Sequence, residues 1–396
     1  MKYCLLFAAV LTLFACHTNK VTFVKSPPDD GKIEFQILQL NDIYEVSPLE
    51  NGKRGGLARV ATIDKRMNAQ NPNTLQVVAG DFISPTLIGT LKLEGKSIRG
   101  KQMIDLMNAM GTDLVTFGNH EFDFEYDDLL DRMNESDFEW ISSNVLYRQP
   151  DSMLNRFHRI VKAEKRYLPD HLVWQITDKD GTKARIGFFG VTLATFIKPY
   201  VHYEDFYLEA RKAYQHLAGE CDIVIGLTHL ERIQDSLLAQ QIQQVPLLIG
   251  GHDHTNMIFK SGMTTIAKAD ANAKTVYKHV FSLDKRSGQF QLSSELIQID
   301  ETVATDSATQ ALVEKWQTIL QEKIKEFVAD PNEVIFQALI PLDGLESSIR
   351  YRQTTLGNMI AKSMLESVDH SLNPQAAIMN SGGIRIDDMV AGTVTP

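Results

Sequence analysis

Residues 117–123 read Phe-Gly-Asn-His-Glu-Phe-Asp, directly after the apolar stretch Leu114-Val115-Thr116. A short β-branched run that meets a glycine and breaks into Asn, His and acids is the pattern of a buried strand presenting polar side chains at its carboxyl end. In open α/β sheets, ligands gather at that end. Asn119, His120 and Asp123 are therefore candidates for chemistry, provided that other strands end in the same way.

They do, on both sides in the sequence. "KIEFQILQL" (32–40) runs into Asp42, and "TLQVVAG" (74–80) runs into Asp81. "DIVIGLTHL" (222–230) carries His229, and "VPLLIGG" (245–251) leads to His252 and His254. "ARIGFFGVT" (184–192) is a further apolar run. Helical patterns lie between them: "GLARVATIDKRMNAQ" (56–70), "KQMIDLMNAM" (101–110), "YDDLLDRMN" (126–134) and "SLLAQQIQQ" (236–244). This alternation predicts an α/β fold with helices outside a buried sheet. After Gly262, "MTTIAKA", "TVYKHVFSL" and "FQLSSELIQI" alternate and are expected to be antiparallel. "SATQALVEKWQTILQEKIKEF" (307–327) reads as one amphipathic helix connecting to a further segment.

Each polar strand end has a bland explanation by itself. Asp42 or Asp81 could cap a turn, His229 could be a satisfied core histidine, and Asn119 could cap a helix. Together they would need independent placement at one sheet edge. As a set they suit two-metal hydrolysis: a carboxylate such as Asp81 bridges two cations, and mixed Asp, Asn and His donors suit zinc- or manganese-like ions. Such ions lower the pKa of bound water, giving hydroxide near neutral pH, and neutralise charge developing on phosphoryl oxygens. His120 with Asp123 three residues on has the form of an oriented imidazole. A Gly-x-Ser-x-Gly nucleophile elbow and a phosphate loop ending in Lys-Ser/Thr are both missing from the sequence, which disfavours serine hydrolases and P-loop kinases.

The set "ND", "GDF", "GNHEFD", "THLE" and "GHDH" resembles the calcineurin-like metallophosphoesterases, in the branch of exported two-domain 5'-nucleotidases. The resemblance implies a four-layer αββα sandwich over 32–305, a linker helix over 306–330, and two divalent metal ions (zinc, manganese or similar). It implies Asp42, Asp81 and His254 as ligands of one ion, with Asp81 bridging, and Asn119, His229 and His252 as ligands of the other. His120 would be the catalytic histidine and Asp123 its partner. Residues 333–396, with "SSIRYRQTTLGNMIAKSML" and "NSGGIR", resemble the opening of the family's α/β nucleotide-recognition domain. There Arg350, Asn380, Gly383 and Arg385 would contact substrate, in keeping with the bidentate phosphate chemistry of arginine. Taken alone, Arg350 and Arg352 could equally form surface ion pairs.

Two departures stand out. Tyr44 occupies a place where most of the family has a histidine ligand. It could ligate as phenolate, only line the pocket and leave the first metal a ligand short, or mark a defunct site; the intact remaining set favours lining the pocket. The second departure is length: about sixty residues follow Glu333, few for an independent core, so an incomplete recognition domain lacking its base-stacking residues is expected.

The remaining expectations come from composition and the N-terminus. The formal net charge of −10, with 40 basic and 50 acidic residues, disfavours a nucleic-acid surface. Residues 1–16, "MKYCLLFAAVLTLFAC", combine Lys2 with an apolar run too short to span a bilayer and end at Cys16, like a lipoprotein signal; 17–31 read as a tether. An exported protein, lipid-anchored in the bacterial periplasm or at the cell surface, is expected, with soluble secretion as the alternative. Of the three cysteines only Cys221 lies in the body, so an internal disulfide is not expected there. The expected activity is 5'-nucleotidase, releasing phosphate from nucleoside 5'-monophosphates. The alternatives are 2',3'-cyclic nucleotide or nucleotide-sugar pyrophosphate hydrolysis, and a non-catalytic binding lipoprotein.

Overall fold

The computed structural model describes residues 28–195, 198–328, 330, 333–369, 371 and 373–395. The signal and most of the tether expected at the N-terminus lie outside them. In chain order the strands that matter are β1 (Lys32–Leu40), β2 (Thr74–Ala79), β3 (Leu114–Thr116), β4 (Glu139–Ile141), β5 (His171–Thr177), β6 (Lys183–Thr192), β7 (Ile223–His229), β8 (Leu247–Gly250), β9 (Met257–Ser261), β10 (Thr264–Lys268), β11 (Thr275–Asp284) and β12 (Gln289–Gln298). They form two six-stranded sheets, ordered β12-β11-β1-β2-β3-β4 and β5-β6-β7-β8-β10-β9. Strands β1 to β4 run parallel, as do β6, β7, β8 and β10.

The period of two along each strand explains the layering. Ile33, Phe35 and Ile37 of β1 meet Ile186 and Phe188 of β6 and Ile223, Ile225 and Leu227 of β7 in a core between the sheets. Leu38 and Leu40 face the other way, onto helices. Those helices are α1 (Leu57–Gln70), α2 (Lys101–Met110) and α3 (Tyr126–Glu135). On the far side α4 (Phe206–Ala218) and α5 (Arg232–Gln241) cover Phe189, Val191 and Val224. The result is helix, sheet, sheet, helix, the four-layer sandwich that the resemblance implied. Cys221 is half-buried beside this outer layer and is a free thiol.

One expectation fails. The run 264–268, taken for part of an antiparallel series, pairs parallel with β8 and antiparallel only with β9. Its alternation gives no direction, because direction is set by the crossover and not by which faces are apolar. The other two runs do pair antiparallel, as β11 with β12.

Helix α6 (Ser307–Ile324) starts at Asp306, whose side chain accepts from the Thr309 backbone N–H. Its Val313 and Trp316 are buried in the same core as α1 and α2, so it packs as part of the body. Beyond it, β13 (Phe336–Asp343) and β14 (Met389–Val394) form a separate antiparallel pair, with α7 (Glu346–Ile349) and α8 (Thr355–Ser367) between them in sequence. No residue of α8 is buried, and Leu339 and Ile378 are 93% and 90% exposed. Polar contacts tie this unit to the body: Asp387 pairs with Lys274, and the Glu50 backbone N–H donates to Asp388 at 3.1 Å. Among the described residues no helix is long and apolar enough to cross a membrane.

Candidate metal centre

The carboxyl ends of β1, β2 and β3 from one sheet meet those of β7 and β8 from the other. Asp42, Asp81 and His229 lie there with ligand atoms within 4.8 Å of one another, all buried. His229 Nε2 is 3.2 Å from Asp81 Oδ2 and 4.0 Å from Asp42 Oδ1. His254 Nε2 is 3.3 Å from Asp42 Oδ1. The His252 backbone N–H donates to Asp42 Oδ2 at 2.9 Å, and its Nδ1 lies 3.1 Å from Asn119 Oδ1. The His120 backbone N–H donates to Asp81 Oδ1 at 2.8 Å, and His120 Nδ1 stands 2.8 Å from Asp123 Oδ2. The structure thus brings together all eight residues predicted at the strand ends.

The backbone is strained to do this. Asp42, Asp81, His252 and His254 all have positive φ, between 52° and 80°. That conformation costs on the order of 1–3 kcal/mol for a non-glycine residue and collects at functional sites. The neighbouring chain is crowded as well. A Cβ on Gly118 would sit 2.1 Å from Asp81 Oδ1, and one on Gly251 would sit 2.4 Å from the Ala79 carbonyl oxygen.

Whether the donors fit a cation can be read from His229. Its Nδ1 donates to the Ala79 carbonyl at 2.8 Å, which fixes the proton there in the neutral ring. Its Nε2, fully buried, faces the Asp81 carboxylate at 3.2 Å. A lone pair aimed at a carboxylate oxygen is repulsive unless a proton or a cation stands between them. Burial alone would lower the pKa of His229, but Asp81 and Asp42 outweigh it and bring it up to about 9. In His254 burial is likewise outweighed, by Asp42 and Glu346, and its pKa rises to about 10. His252 is pushed down to about 4 by burial and by His229. Burial works to raise Asp42 and Asp81, and the adjoining histidines nevertheless hold both below the usual carboxylate range. Protons on the His229 and His254 imidazoles balance the two buried carboxylates; a divalent metal ion can take the place of those protons, and the oxygen and nitrogen donors suit one.

Tyr44 reaches into this cluster. Its hydroxyl is 3.0 Å from Asp81 Oδ2, 2.9 Å from His254 Nε2 and 3.4 Å from Asp42 Oδ1. Burial, then Asp81 and Asp42, push its pKa well above the ordinary phenol value.

A cavity of about 680 Å³ opens over the centre. Asp81, Asn119, His120, His252 and His254 border it on one side; Arg350, Asn380 and Arg385 border it on the other. Gly383 is not on that border, whereas its neighbour Gly382 is. Arg385 Nη2 lies 3.4 Å from His120 Nε2, and its guanidinium is 5.8 Å from the Tyr44 ring centre. Arg350 donates through Nε to Glu346 at 2.9 Å, and Arg352 pairs with Asp343 at 3.2 Å.

Strand ends of two facing sheets, converging on buried Asp and His, define a metallophosphoesterase. Residues 35–256, more than half of the chain, match the Calcineurin-like phosphoesterase family, and the chain belongs to it. More particularly, it is 27% identical over 91% of its length to the trifunctional nucleotide phosphoesterase protein YfkN of Bacillus subtilis (strain 168), covering 25% of that protein. It is 24% identical over 91% of its length to the 5'-nucleotidase of Bos taurus, covering 66% of it. The crystal structure of a 5'-nucleotidase precursor from Thermus thermophilus has the same fold, with a TM-score of 0.74, 23% identity, and coverage of 92% of this chain and 72% of that one.

Sequence reasoning missed several supports. Glu121, inside the "GNHEFD" motif, is fully buried and accepts from the backbone N–H groups of Asp81, Phe82 and Gly118 at 2.9, 2.8 and 2.5 Å. It clamps the β2 and β3 loops together. Burial and Asp81 raise its pKa to about 7. Asn41 donates to Asp42 Oδ2 at 2.8 Å and bridges to Ala269. Lys268, fully buried, donates to the carbonyls of Leu230 and Gly251 and pairs with Asp235 and Asp253, joining the His229 and His252 loops. An apolar strand context around 268 gave no signal for it. Glu346 was equally invisible, because its partner His254 lies 92 residues away.

Proposed function

We propose that this chain is a dinuclear metal-dependent phosphohydrolase acting as a 5'-nucleotidase on nucleoside 5'-monophosphates. The observation that carries the reading is the buried His229 Nε2 turned on Asp81 Oδ2 at 3.2 Å, where a proton or a cation has to stand, beneath a cavity walled by two arginines. Asp42, Asp81 and His254, with Tyr44 beside them, would hold one divalent ion; Asp81, Asn119, His229 and His252 would hold the other. Bound there, zinc- or manganese-like ions supply Lewis acidity toward phosphoryl oxygens and acidify water.

The other steps belong to side chains. Asp123 holds the His120 imidazole by Nδ1, which leaves Nε2 turned to the cavity to donate a proton or hydrogen bond to the phosphoryl or leaving oxygen. Burial lowers the pKa of His120, but Asp123 and Asp81 outweigh it, so the proton is retained more strongly than in free imidazole. Arg385 and Arg350 would grip the phosphate, Arg350 by exchanging Glu346 for the substrate. Asn380, whose side chain accepts from the Gly382 N–H at 3.0 Å, would shape the opposite wall together with Gly382, in place of the Gly383 expected from the sequence. The names of the relatives, nucleotide phosphoesterase and 5'-nucleotidase, support nucleotide substrates. We place residues 32–305 in the metallophosphoesterase domain and 333–396 in a nucleotide-recognition unit.

The test is phosphate release from a panel of nucleoside 5'-monophosphates, 2',3'-cyclic nucleotides and nucleotide sugars, before and after chelation. Activity is expected to vanish with chelator and return with manganese or zinc. In His120→Asn turnover should fall about 10²- to 10⁴-fold with metal content unchanged. Metal-independent release, or no release from any substrate by metal-loaded protein, rejects the proposal.

A further inference from the structure

The three histidines of the centre are not held alike. His229 is fixed through Nδ1 by the Ala79 carbonyl, at the end of β2. His252 faces Asn119 with Nδ1, just after β3. The second contact joins two candidate ligands of one ion, and neither contact leaves the sheets that build the site. His254 instead has its Nδ1 2.6 Å from Glu346 Oε2, in α7 of the outer unit. Its Nε2 is thereby turned to Asp42 and Tyr44. Glu346 is itself held in place. Its backbone N–H donates to Asp387 Oδ1 at 3.0 Å, its other carboxylate oxygen accepts from Arg350, and Asp387 pairs with Lys274 of the body.

We propose that Glu346 is the positioning residue of His254, so that the unit carrying β13, β14 and α7 completes the metal centre by supplying its outermost support. A carboxylate on the distal nitrogen of a ligand histidine fixes its tautomer and ring plane and raises its basicity as a donor. Because the contact joins two units of the chain, metal binding on the Asp42 side and docking of the outer unit stabilise each other by the same amount. This rests on the reading of the cluster as a metal site.

The experiment is calorimetric titration of chelator-treated full-length chain with Mn²⁺, for wild type, Glu346→Ala and Glu346→Gln. Loss of a ligand's outer support typically costs about 10- to 100-fold in affinity. Glu346→Ala should weaken one of the two binding events by that factor and leave the other unchanged. Glu346→Gln, whose amide oxygen can still accept from Nδ1–H, should fall between. Glu346 ties the outer unit and not the packed core of the body, so the apo urea midpoint of the body should agree among the three. Hydrogen exchange gives the reciprocal readout: Mn²⁺ should slow exchange at the Ser348 and Ile349 amides in wild type and much less in Glu346→Ala. Equal Mn²⁺ affinity in Glu346→Ala and wild type overturns the proposal while leaving the metal reading standing. A wild type that binds no Mn²⁺ overturns both. Weakening of both events with a lowered apo midpoint overturns it too, since that marks general destabilisation.

Discussion

Asp42, Asp81 and His229 are fully buried between two six-stranded sheets, whereas Arg350 and Arg385 stand on a two-stranded unit whose helix α8 has no buried residue. The same cavity is therefore bounded by two kinds of support. On the body side, side chains are held by packing, by strained backbone and by buried braces such as Glu121 and Lys268. On the outer side they are held by polar ties: Glu346 to His254, Asp387 to Lys274 and Asp388 to the Glu50 backbone. Packing contributes stability whatever is bound, while ties of this kind depend on charge and on the partner's state. The difference teaches that the two halves of the site can fail separately.

The comparison breaks if α6 belongs with the outer unit. Trp316 is buried against the cluster shared with α1 and α2, so Trp316→Ala should destabilise the body by about 3–5 kcal/mol. Urea unfolding followed by circular dichroism measures this; a loss under about 1 kcal/mol would mean that the helix is only a tether. A smaller effect sharpens the contrast from the other side. Asp387→Ala removes the acceptor of the Glu346 N–H and the partner of Lys274. Opening of α7 should become easier by about 1–2 kcal/mol, read as faster amide exchange there, with the urea midpoint of the body unmoved.

The smallest effect concerns the cost of burial in the body. Burial, then Asp113, raises Asp64 on α1 from 3.8 to about 6. The folded state thus binds this proton more tightly than the unfolded chain. The resulting stability is fully present below about pH 4 and is lost as pH rises through about 6. Asp64→Asn should therefore stabilise the protein at about pH 8, by on the order of 1 kcal/mol after solvent screening, and give no gain at about pH 4. Thermal melts at the two pH values decide it; equal shifts at both would show that the carboxyl group is not strained.

The sequence by itself determined the α/β class and the inner site, while the four layers were implied by the family resemblance of its motifs. Apolar runs alternating with helical patterns gave strands and helices in the order of an α/β body, and the strand-end polar residues named Asp42, Asp81, Asn119, His120, Asp123, His229, His252 and His254. These signals are local: a strand's apolar run and the polar residues that end it are written in consecutive positions. What only the tertiary structure decided depends on pairs far apart in the chain. It set the parallel direction of 264–268, seated α6 on the body, turned the Tyr44 hydroxyl onto Asp81 and His254, buried Lys268 between two loops, and brought Glu346 to His254. No spacing rule encodes such meetings, because each is fixed by how two sheets and a later segment pack, and that packing is a sum over the whole chain.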